Sequence, residues 1–410
     1  MTLSRRGLFG AGAALGLAAA PLPTAAAPPL RVLNAGDYGA RGDGRADDTA
    51  ALQKALDHAF VEGGALLVIP PGTYRVTRTL RVEFAHGANL GRQSGIVGHG
   101  ARLDSEIADG GNVLEILCRA TVRFVLIDGL DILGRGREGH GLYVECDHKG
   151  TYFYNFCVRD VNVQNCGGDG CRLVGNVFEG QIVNAYFRGN KGNGATFAHG
   201  AEGILSALHV FGAVFGQNGE NGAAMIRNCY DVAFHGCYFL LNAKFGLLAG
   251  NGCTLLSNCG FENNHAAAKD FAGGDCGVNL NTFGTLVGCT AYSVFHQTGL
   301  IRAFVASRLT MVGCTGSGGG TAAKAGLARL GGTRSADATL IGCSGAVQYS
   351  NGFEALEIGG PNGGVRFGAQ WQSRNLPQLG DYRLWIDRGG KLRIKRGTPT
   401  DDDDGTPVGT

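Results

Sequence analysis

The feature that most constrains this chain is an internal repeat. Between residues 141 and 326, a glycine opens a short apolar or alternating run at intervals of 22 to 31 residues. A period in this range is typical of stacked solenoids, in which each unit buries its apolar face only against its neighbours. The repeating glycines are Gly141, Gly170, Gly194, Gly222, Gly246, Gly277, Gly299 and Gly326.

The content of each repeat indicates which kind of solenoid forms. Most repeats continue with an aromatic or apolar strand, an Asn-containing turn and another glycine, as in residues 187–192 and 215–219. Strand-length runs separated by Gly and Asn, without helical periodicity between them, favour a coil of three strands. The predicted fold class is therefore all-β, and the predicted architecture is a parallel β-helix.

The first 27 residues predict an export signal and not a part of the fold. Paired arginines, Arg5 and Arg6, precede an Ala/Leu/Gly run, and residues 24–27 supply small residues for cleavage. This pattern indicates a twin-arginine signal, with an ordinary secretory signal as the alternative. We therefore expect a periplasmic or extracellular protein.

Charge and hydropathy exclude two classes of partner. Without the signal the chain carries 34 basic and 34 acidic residues, a net charge of zero. This balance favours neither nucleic acid nor an anionic membrane surface. No later stretch approaches the roughly 20 apolar residues that a spanning helix needs.

The 13 cysteines do not predict a disulfide framework. Five of them follow a Gly or Asn at the same point of successive repeats, so a parallel coil would stack them as an inward ladder. Buried Cys behaves as a small apolar residue, and an odd count with export of folded protein favours reduced thiols. The five are Cys237, Cys259, Cys289, Cys314 and Cys343.

The N-terminal segment predicts a cap for the solenoid. Asp47-Asp48-Thr49 provides N-cap residues, and five apolar residues then recur at helical spacing. A short amphipathic helix here would cover the exposed strand edge at the open end. The apolar residues are Leu52, Ala55, Leu56, Ala59 and Phe60.

This segment also carries a resemblance to a known superfamily. Residues 37–44, 47–49 and 69–74 (DYGARGDG, DDT and IPPGTY) resemble the N-terminus of pectate lyase/polygalacturonase-like proteins, including the rhamnogalacturonase/epimerase-like group. The resemblance implies a right-handed, single-stranded parallel β-helix over residues 28–350, with the cap at 31–75 and coils at about 90–350. It identifies the scaffold and not the reaction, because the motif lies in the cap.

Residues 351–410 break the period and predict a separate C-terminal module. Residues 382–395 alternate on both sides of Gly389-Gly390, which predicts a β-hairpin. The acidic run Asp401–Asp404 is interpreted as a solvated tail and not as a Ca²⁺ site. The module is similar to those that close tailspike-like proteins, and relatives of this kind imply a homotrimer as the candidate assembly.

The strand register predicts a candidate site. Positions one and three residues after each glycine are apolar, as in Leu142/Val144 and Cys171/Leu173. Because strand side chains alternate, positions two and four point outward. One outward stripe on adjacent coils, with the loops that enter it, therefore gathers six polar side chains. They are Tyr143, Glu145, Arg172, His140, Asp169 and Lys191.

Such a stripe suits the chemistry of uronates. β-Elimination and epimerisation both remove a weakly acidic proton beside a carboxylate, so they need a cation for the developing negative charge and a base for the proton. Arg172 is the candidate cation, and Tyr143, His140 or Lys191 is the candidate base or acid. The alternative interpretation is a surface ion pair of Arg172 with Glu145 or Asp169, which would contribute little.

The first functional hypothesis is thus an exported enzyme that acts on a uronate-containing polysaccharide by lyase or epimerase chemistry, without an organic cofactor. The second is a glycoside hydrolase, which needs two carboxylates about one bond; only Glu145 and Asp169 are candidates. The third is a glycan-binding tailspike-like or adhesin protein without catalysis. For Ca²⁺, Glu145, Asp147 and Asp169 are the acidic residues that cluster, and the sequence gives this site no further support.

Overall fold

The computed structural model describes the greater part of the chain from residue 31 to residue 408. The signal predicted for residues 1–27 lies outside the described residues and stays a prediction. The described ranges are 31–61, 64–84, 94–198, 200–201, 203–227, 229–250, 253–264, 278–280, 283–293, 301–303, 308–318, 326–330, 337–343, 346–349, 355–359, 378–379, 382–387, 389–397, 399–401 and 403–408.

Parallel strands wind around the long axis of the molecule and form three sheets, each of which receives strands from successive coils. The fold-class prediction, an all-β parallel β-helix with one short N-terminal helical segment, is confirmed. Sheet 1 has eleven described strands. They are Leu80–Phe84, Leu114–Cys118, Leu142–Cys146, Cys171–Gly175, Ala195–Ala198, Ala223–Ile226, Leu247–Ala249, Val278–Leu280, Ile301–Ala303, Gly326–Leu330 and Ala346–Tyr349.

Sheet 2 is the largest, with 22 described strands, and most coils contribute two of them. Its parallel pairing begins at Arg31–Asn34 and extends to Ala355–Gly359, so the N-terminal segment and residues just beyond 350 join the same network. The strands are Arg31–Asn34, Asp43–Asp47, Ala65–Val68, Gly72–Val76, Ser94–Ser105, Val125–Leu133, Cys157–Arg159, Asn162–Gln164, Gln181–Val183, Tyr186–Arg188, His209–Phe211, Val214–Gly216, Val232–His235, Tyr238–Leu240, Cys253–Ser257, Gly260–Glu262, Phe283–Val287, Thr290–Ser293, Arg308–Val312, Thr315–Gly318, Asp337–Ile341 and Ala355–Gly359.

Sheet 3 is a narrow ribbon that follows sheet 1 in each of five coils. Only one residue, Asn176, separates the sheet 1 strand Cys171–Gly175 from the sheet 3 strand Val177–Phe178. The side chains at the end of a sheet 1 strand therefore lie near the start of sheet 3. The five strands are Val122–Arg123, Phe153–Tyr154, Val177–Phe178, Leu205–Ser206 and Cys229–Tyr230.

Identical side chains stack along the interior of the solenoid, which is what the repeat predicts. Phe215, Phe239 and Phe261 are buried, with ring centroids 4.9 and 4.8 Å apart. The cysteine ladder also forms, since Cys237, Cys259, Cys289 and Cys314 are buried free thiols and Cys343 is partly buried. The hydrogen bond to Cys259, together with burial, raises the pKa of the Cys289 thiol to about 12. The thiols are therefore core residues.

A second interior ladder consists of asparagines at the turns. The Asn218 Oδ1 accepts hydrogen bonds from the backbone N–H and the side-chain amide of Asn190, both at 3.1 Å. The Asn218 amide in turn donates to Asn242 Oδ1 at 2.9 Å and to the carbonyl of Phe187 at 3.1 Å. Because these groups are buried, each asparagine satisfies backbone polar groups that water does not reach.

The predicted N-terminal cap is present. Thr49–Leu56 is α-helical, and Asp57–Val61 continues it as a π-helix; a 3₁₀ turn, Ala35–Tyr38, precedes it. All five apolar residues predicted to face the core are buried.

The hydrogen bonds at the N-terminus of this helix differ from the expectation. Asp48 stands at the N-cap without a side-chain bond to the helix, because its carboxylate accepts the backbone N–H groups of Arg41 and Gly42. Asp47 accepts the N–H of Thr49 instead.

Sheet 4, at the C-terminus, is antiparallel and contains the predicted hairpin. Its strands are Gln378–Leu379, Tyr382–Ile386, Leu392–Arg396 and Thr406–Pro407. The interpretation of the acidic run as solvated agrees with the exposure of Asp401 and Asp403, and two residues of the run also pair with cations of the hairpin. Asp404 pairs with Lys395, and the Asp403 carboxylate lies 3.1 Å from Arg393. Arg393 and Lys395 of the hairpin therefore pair with two of the carboxylates of the run.

Candidate active site

The outer face of sheet 1 places the predicted residues in register on neighbouring coils. Tyr143 is paired with Glu115 on one side and with Arg172 on the other. The alternation is as predicted, since Leu142, Val144 and Cys171 are buried while Tyr143 and Arg172 are partly exposed. Adjacent strands lie about 4.8 Å apart, so the three outward side chains form one row across three coils.

Tyr143 and Glu145 form a hydrogen-bonded pair on one strand. The Tyr143 hydroxyl donates to Glu145 Oε2 at 2.7 Å, and Glu145 Oε1 lies 3.0 Å from a guanidinium nitrogen of Arg119. Burial, followed by the hydrogen bond and the negative charge of Glu145, raises the pKa of Tyr143 well above its ordinary value of 10.0. The phenol therefore stays neutral, with its hydrogen directed at the carboxylate.

Arg172 is held by Asp169, three residues before it. A guanidinium nitrogen of Arg172 lies 3.0 Å from Asp169 Oδ2, and the other carboxylate oxygen of Asp169 accepts the backbone N–H of Asn193 at 2.8 Å. Asp169 is only 4% exposed, whereas the Arg172 side chain is 34% exposed. A guanidinium has five N–H donors, so this geometry fixes Arg172 while part of it still faces outward.

His140 has a defined tautomer. The backbone N–H of Asp169 donates to His140 Nδ1 at 2.8 Å, so Nδ1 is unprotonated and the neutral ring carries its proton on Nε2. Burial lowers the pKa of His140, and Asp169 opposes this effect only in part. The ring also stacks on Tyr143, with centroids 5.7 Å apart and planes 12° apart. His140 is therefore a neutral ring that positions its neighbours.

His140 and Asp169 belong to a ladder that runs along the turn before sheet 1. Each side chain in the ladder accepts the backbone N–H of the corresponding residue in the next coil. For example, Asn112 Oδ1 accepts from His140 at 2.9 Å, and Asn193 Oδ1 accepts from Asn221 at 2.9 Å. At three positions of the ladder an Asn oxygen accepts this backbone hydrogen bond. The bond alone therefore does not require a histidine at position 140. The members are Asn112, His140, Asp169, Asn193 and Asn221.

Two predicted features of the stripe differ from the structure. The Lys191 ammonium donates to the carbonyl of Gly136 at 2.8 Å, so Lys191 is turned toward the loop before His140 and away from Tyr143. Thr196 and Ala224, outward by the same alternation, are 0% and 1% exposed. Neighbouring atoms therefore cover the outer face at these two positions, whereas Ile226, outward on the same strand as Ala224, is 38% exposed.

The acidic trio considered for Ca²⁺ is not assembled. Asp147 accepts the backbone N–H of Ala201 at 2.8 Å, while Glu145 faces Arg119 and Asp169 faces Arg172. Over the described residues, no group of three or more His, Cys, Asp or Glu side chains is arranged to hold a metal ion.

Sequence reasoning missed four charged residues that extend the site toward the N-terminus. The Arg81 Nε lies 2.5 Å from Glu115 Oε2, and the Arg119 Nε lies 3.6 Å from Glu83 Oε1. The sequence of Leu80–Phe84, LRVEF, could have predicted this extension, because both of its outward positions are charged. These strands precede the repeat that starts at Gly141. We use the name charged cluster for Arg81, Glu83, Glu115, Arg119, Glu145 and Arg172.

Two family models match separate parts of the chain. Residues 32–112 match "Rhamnogalacturonase A/epimerase, pectate lyase-like", and residues 321–410 match "Capsule depolymerase". The first match covers the N-terminal cap and the first strand of sheet 1, Leu80–Phe84, and ends just before the second.

Curated relatives share only a short segment with this chain. Mannuronan C5-epimerase AlgE1 of Azotobacter vinelandii is 50% identical over 48 residues, which is 12% of this chain and 3% of the relative. Alginate lyase 7 of the same organism is 50% identical over 44 residues, or 11% of this chain and 5% of the relative. The match thus spans a small fraction of each relative's length.

Solved structures with the same fold cover most of the chain. ORF18 of Geobacillus virus E2 aligns with a TM-score of 0.63 at 16% identity, over 92% of this chain and 76% of that one. The enzymatically active domain of tailspike protein 2 of bacteriophage CBA120 aligns with a TM-score of 0.58 at 14% identity, over 89% and 58%. At these identities the similarity shows the fold alone.

Proposed function

We propose that this chain, a parallel β-helix of the pectate lyase-like superfamily, is an exported enzyme that removes a proton beside the carboxylate of a uronate in a polysaccharide. The reaction is elimination or epimerisation. The observation that carries the proposal is the register of Tyr143 beside Arg172, which puts a proton-transferring hydroxyl next to a fixed cation. The names of the matching families and relatives, which include epimerases, a lyase and a capsule depolymerase, support a polysaccharide as substrate.

Arg172 supplies the electrostatic part of the reaction. Removal of the proton moves negative charge onto the uronate carboxylate, and a guanidinium already oriented by Asp169 stabilises that charge without reorganising. The Nε2–H of neutral His140 offers a second donor from the adjacent coil, because Nδ1 is committed to the backbone of Asp169. Both groups act more strongly on the transition state than on the bound substrate.

Tyr143 and Glu145 supply the proton transfer as a pair. Because the pKa of Tyr143 is raised, a free phenolate is not the base at neutral pH. When the Tyr143 oxygen takes the substrate proton, its own proton passes to Glu145, to which it is already hydrogen-bonded at 2.7 Å. In elimination the proton held by the pair then goes to the departing glycosidic oxygen, and in epimerisation a proton from solvent adds to the same carbon from the opposite face.

Hydrolysis by Glu145 and Asp169 is the less favoured chemistry. A general acid must reach the glycosidic oxygen within hydrogen-bond distance. Asp169 is 4% exposed, and its two oxygens are engaged by Arg172 and Asn193. This environment suits a positioning residue better than a group that exchanges protons with a substrate.

Export and assembly belong to the same proposal. The paired arginines at positions 5 and 6 motivate export as a folded protein, and a homotrimer is the candidate assembly. Within the described residues, no helix has the length and apolar character needed to cross a bilayer. Light scattering on the purified mature chain tests the trimer by giving its molar mass directly.

The experiment that tests the proposed function is a panel of acidic polysaccharides, including alginate and polygalacturonate, followed by two readouts. Ultraviolet absorbance detects the unsaturated uronate made by elimination, and a reducing-end assay detects every cleavage. Absorbance together with new ends is the result expected of a lyase, and altered uronate stereochemistry without new ends is expected of an epimerase. New reducing ends without absorbance or stereochemical change would replace the proposal with hydrolysis.

A further inference from the structure

We propose that the outer face of sheet 3 is a sugar-stacking subsite that holds an acidic polysaccharide alongside the charged cluster. The choice of ligand rests on the proposed function, whereas the subsite itself follows from a group of exposed and partly exposed aromatic side chains. We call this group the aromatic platform. Its members are Phe124, Tyr152, Tyr154, Phe178 and Tyr230.

The platform extends over five coils, with Ser206 in place of an aromatic residue between Phe178 and Tyr230. Tyr154 is paired with Phe178 on one side and with Arg123 on the other. The Tyr152 ring lies 5.9 Å from the Phe178 ring at a tilt of 54°, and Tyr230 stands two coils beyond Phe178 in the same register. Phe124, Tyr152 and Tyr230 are 45%, 43% and 41% exposed. An exposed group of aromatic side chains of this kind marks a binding surface.

Core packing explains the inward aromatics of this segment but not the outward ones. Phe153 and Phe156 stack with centroids 4.6 Å apart and are 2% and 3% exposed. Tyr152 and Tyr154 alternate with Phe153 and point the other way. The sequence therefore uses Phe where the solenoid needs a core residue and Tyr, with a polar tip, where the ring faces solvent.

Phe124 adds an independent observation. It occupies the turn after sheet 3, where each coil has one residue with positive φ, and its own φ is 57°. In the next coil the position is Asn155, with φ 54°, a residue type that adopts this conformation readily. A bulky aromatic there is strained, and strain retained at a surface position is a mark of function. The remaining residues of this turn position are Glu179, Ala207 and Asp231.

The position of the aromatic platform and the charges beside it indicate which ligand it binds. Arg119 of the charged cluster and Arg123 flank the short connection from sheet 1 to sheet 3, and the Arg123 guanidinium carbon lies 4.2 Å from the centroid of the Tyr154 ring. Arg123 lies over one face of the Tyr154 ring as a cation–π pair, and its N–H donors can meet the carboxylate of a sugar that stacks on the neighbouring rings. With strands of two residues, the ribbon is about 7 Å wide and about 20 Å long. A protein partner needs about 800 Å² of contact on each side, so an extended glycan fits this shape better.

The test measures binding by calorimetry, with alginate and polygalacturonate oligosaccharides of increasing length and with dextran as the neutral comparison. All proteins carry Tyr143→Phe, so that the ligand is not consumed. Phe124→Asn and Tyr154→Ala are the test variants. Phe124→Asn places in this turn the residue that the next coil already uses, so the fold is kept and its thermal midpoint is maintained or raised. Tyr186→Ala, which removes an aromatic that is 47% exposed on sheet 2, is the matched control.

We expect each test variant to raise the Kd for long acidic oligosaccharides about three- to tenfold, with a loss that grows with chain length. Tyr186→Ala leaves the Kd unchanged, and dextran binds more weakly than the acidic chains. Unchanged Kd values in both test variants, or a parent protein that binds neither acidic polymer, would overturn the subsite. If the platform variants weaken binding while the polysaccharide panel shows no reaction, the proposed chemistry fails and the subsite stands.

Discussion

The hydroxyl of Tyr143 donates to the carboxylate of Glu145 across 2.7 Å, and the two residues occupy alternate positions of one strand. A strand directs residues i and i+2 to the same face, so the pair is fixed by the backbone and needs no folded loop. Its neighbours in register, Glu115 and Arg172, complete a row in which a neutral phenol lies between a carboxylate and a guanidinium.

The first prediction concerns Tyr143→Phe. The change keeps the ring that stacks on His140 and removes only the hydroxyl. Loss of a proton-transferring group lowers the rate by about 10²- to 10⁴-fold, while circular dichroism and the thermal midpoint stay close to those of the parent. A variant with more than half of the parental kcat would show that another group takes the proton.

The second prediction concerns Arg172. Arg172→Ala lowers kcat/KM by about 10²- to 10³-fold, and Arg172→Lys recovers only part of this loss because an ammonium lacks the planar fork of donors. The effect on unfolding free energy is small, about 1 kcal/mol or less, since the pair with Asp169 is partly exposed on the arginine side. Equal activity of the Ala and Lys variants with the parent would leave the surface ion pair as the better interpretation.

Much of the fold can be predicted from the sequence, because each coil of a solenoid repeats the pattern of strands and turns of the coil before it. The inward positions of Leu142/Val144 and Cys171/Leu173 predict which side chains face inward and which face outward in later coils. The same alignment of the repeats predicts the cysteine ladder. Thr196 and Ala224 mark the limit of this reasoning. Alternation predicts that they face outward, but only the folded chain shows that the outer face is covered there.

The site was predictable in part, for a related reason. Tyr143, Glu145, Arg172, His140 and Asp169 are brought together as their spacing in the repeat implies. Lys191 is not, because the direction of a long side chain on a turn depends on contacts such as the carbonyl of Gly136. The partner of Glu145 is Arg119 and not Arg172. Arg119 lies outside the sequence repeat, so no periodic argument reaches it.

The third prediction is a pH dependence of stability that arises from His140. Its pKa is lowered from 6.5 in the folded protein, so the unfolded chain binds this proton at a higher pH than the folded chain does. The free energy of unfolding therefore falls as the pH decreases from about 7 toward 5. The charged groups that face the ring are Asp169 and Arg172.

Urea unfolding of the parent and of His140→Asn at both pH values measures this contribution. Asn keeps an oxygen acceptor for the N–H of Asp169, as Asn112 and Asn193 do in their coils, but it does not titrate. The variant should lose less stability than the parent between the two pH values. An identical loss in both proteins would assign the pH dependence to other groups.

The fourth prediction concerns the interior asparagine ladder. Asn218→Ala leaves the buried N–H of Asn190 without its acceptor and removes the amide that donates to Phe187. The unfolding free energy should fall by about 2 to 4 kcal/mol, because each unsatisfied buried group costs about 1 to 3 kcal/mol.

Chemical denaturation of Asn218→Ala beside Gln181→Ala makes this comparison. Gln181 is an exposed residue of sheet 2, so its truncation should change stability by about 0.5 kcal/mol or less. Similar losses in the two variants would mean that the ladder contributes no more than an ordinary surface side chain.

The central claim is that the pair of Tyr143 and Glu145 removes a proton from the carbon beside a uronate carboxylate. Proton NMR of alginate and polygalacturonate incubated with the enzyme in D₂O tests it most directly, because elimination and epimerisation both remove the hydrogen signal of that carbon. We predict that the signal disappears with the parent protein and persists with Tyr143→Phe. A signal that persists with the parent while new reducing ends appear would contradict the claim and establish hydrolysis.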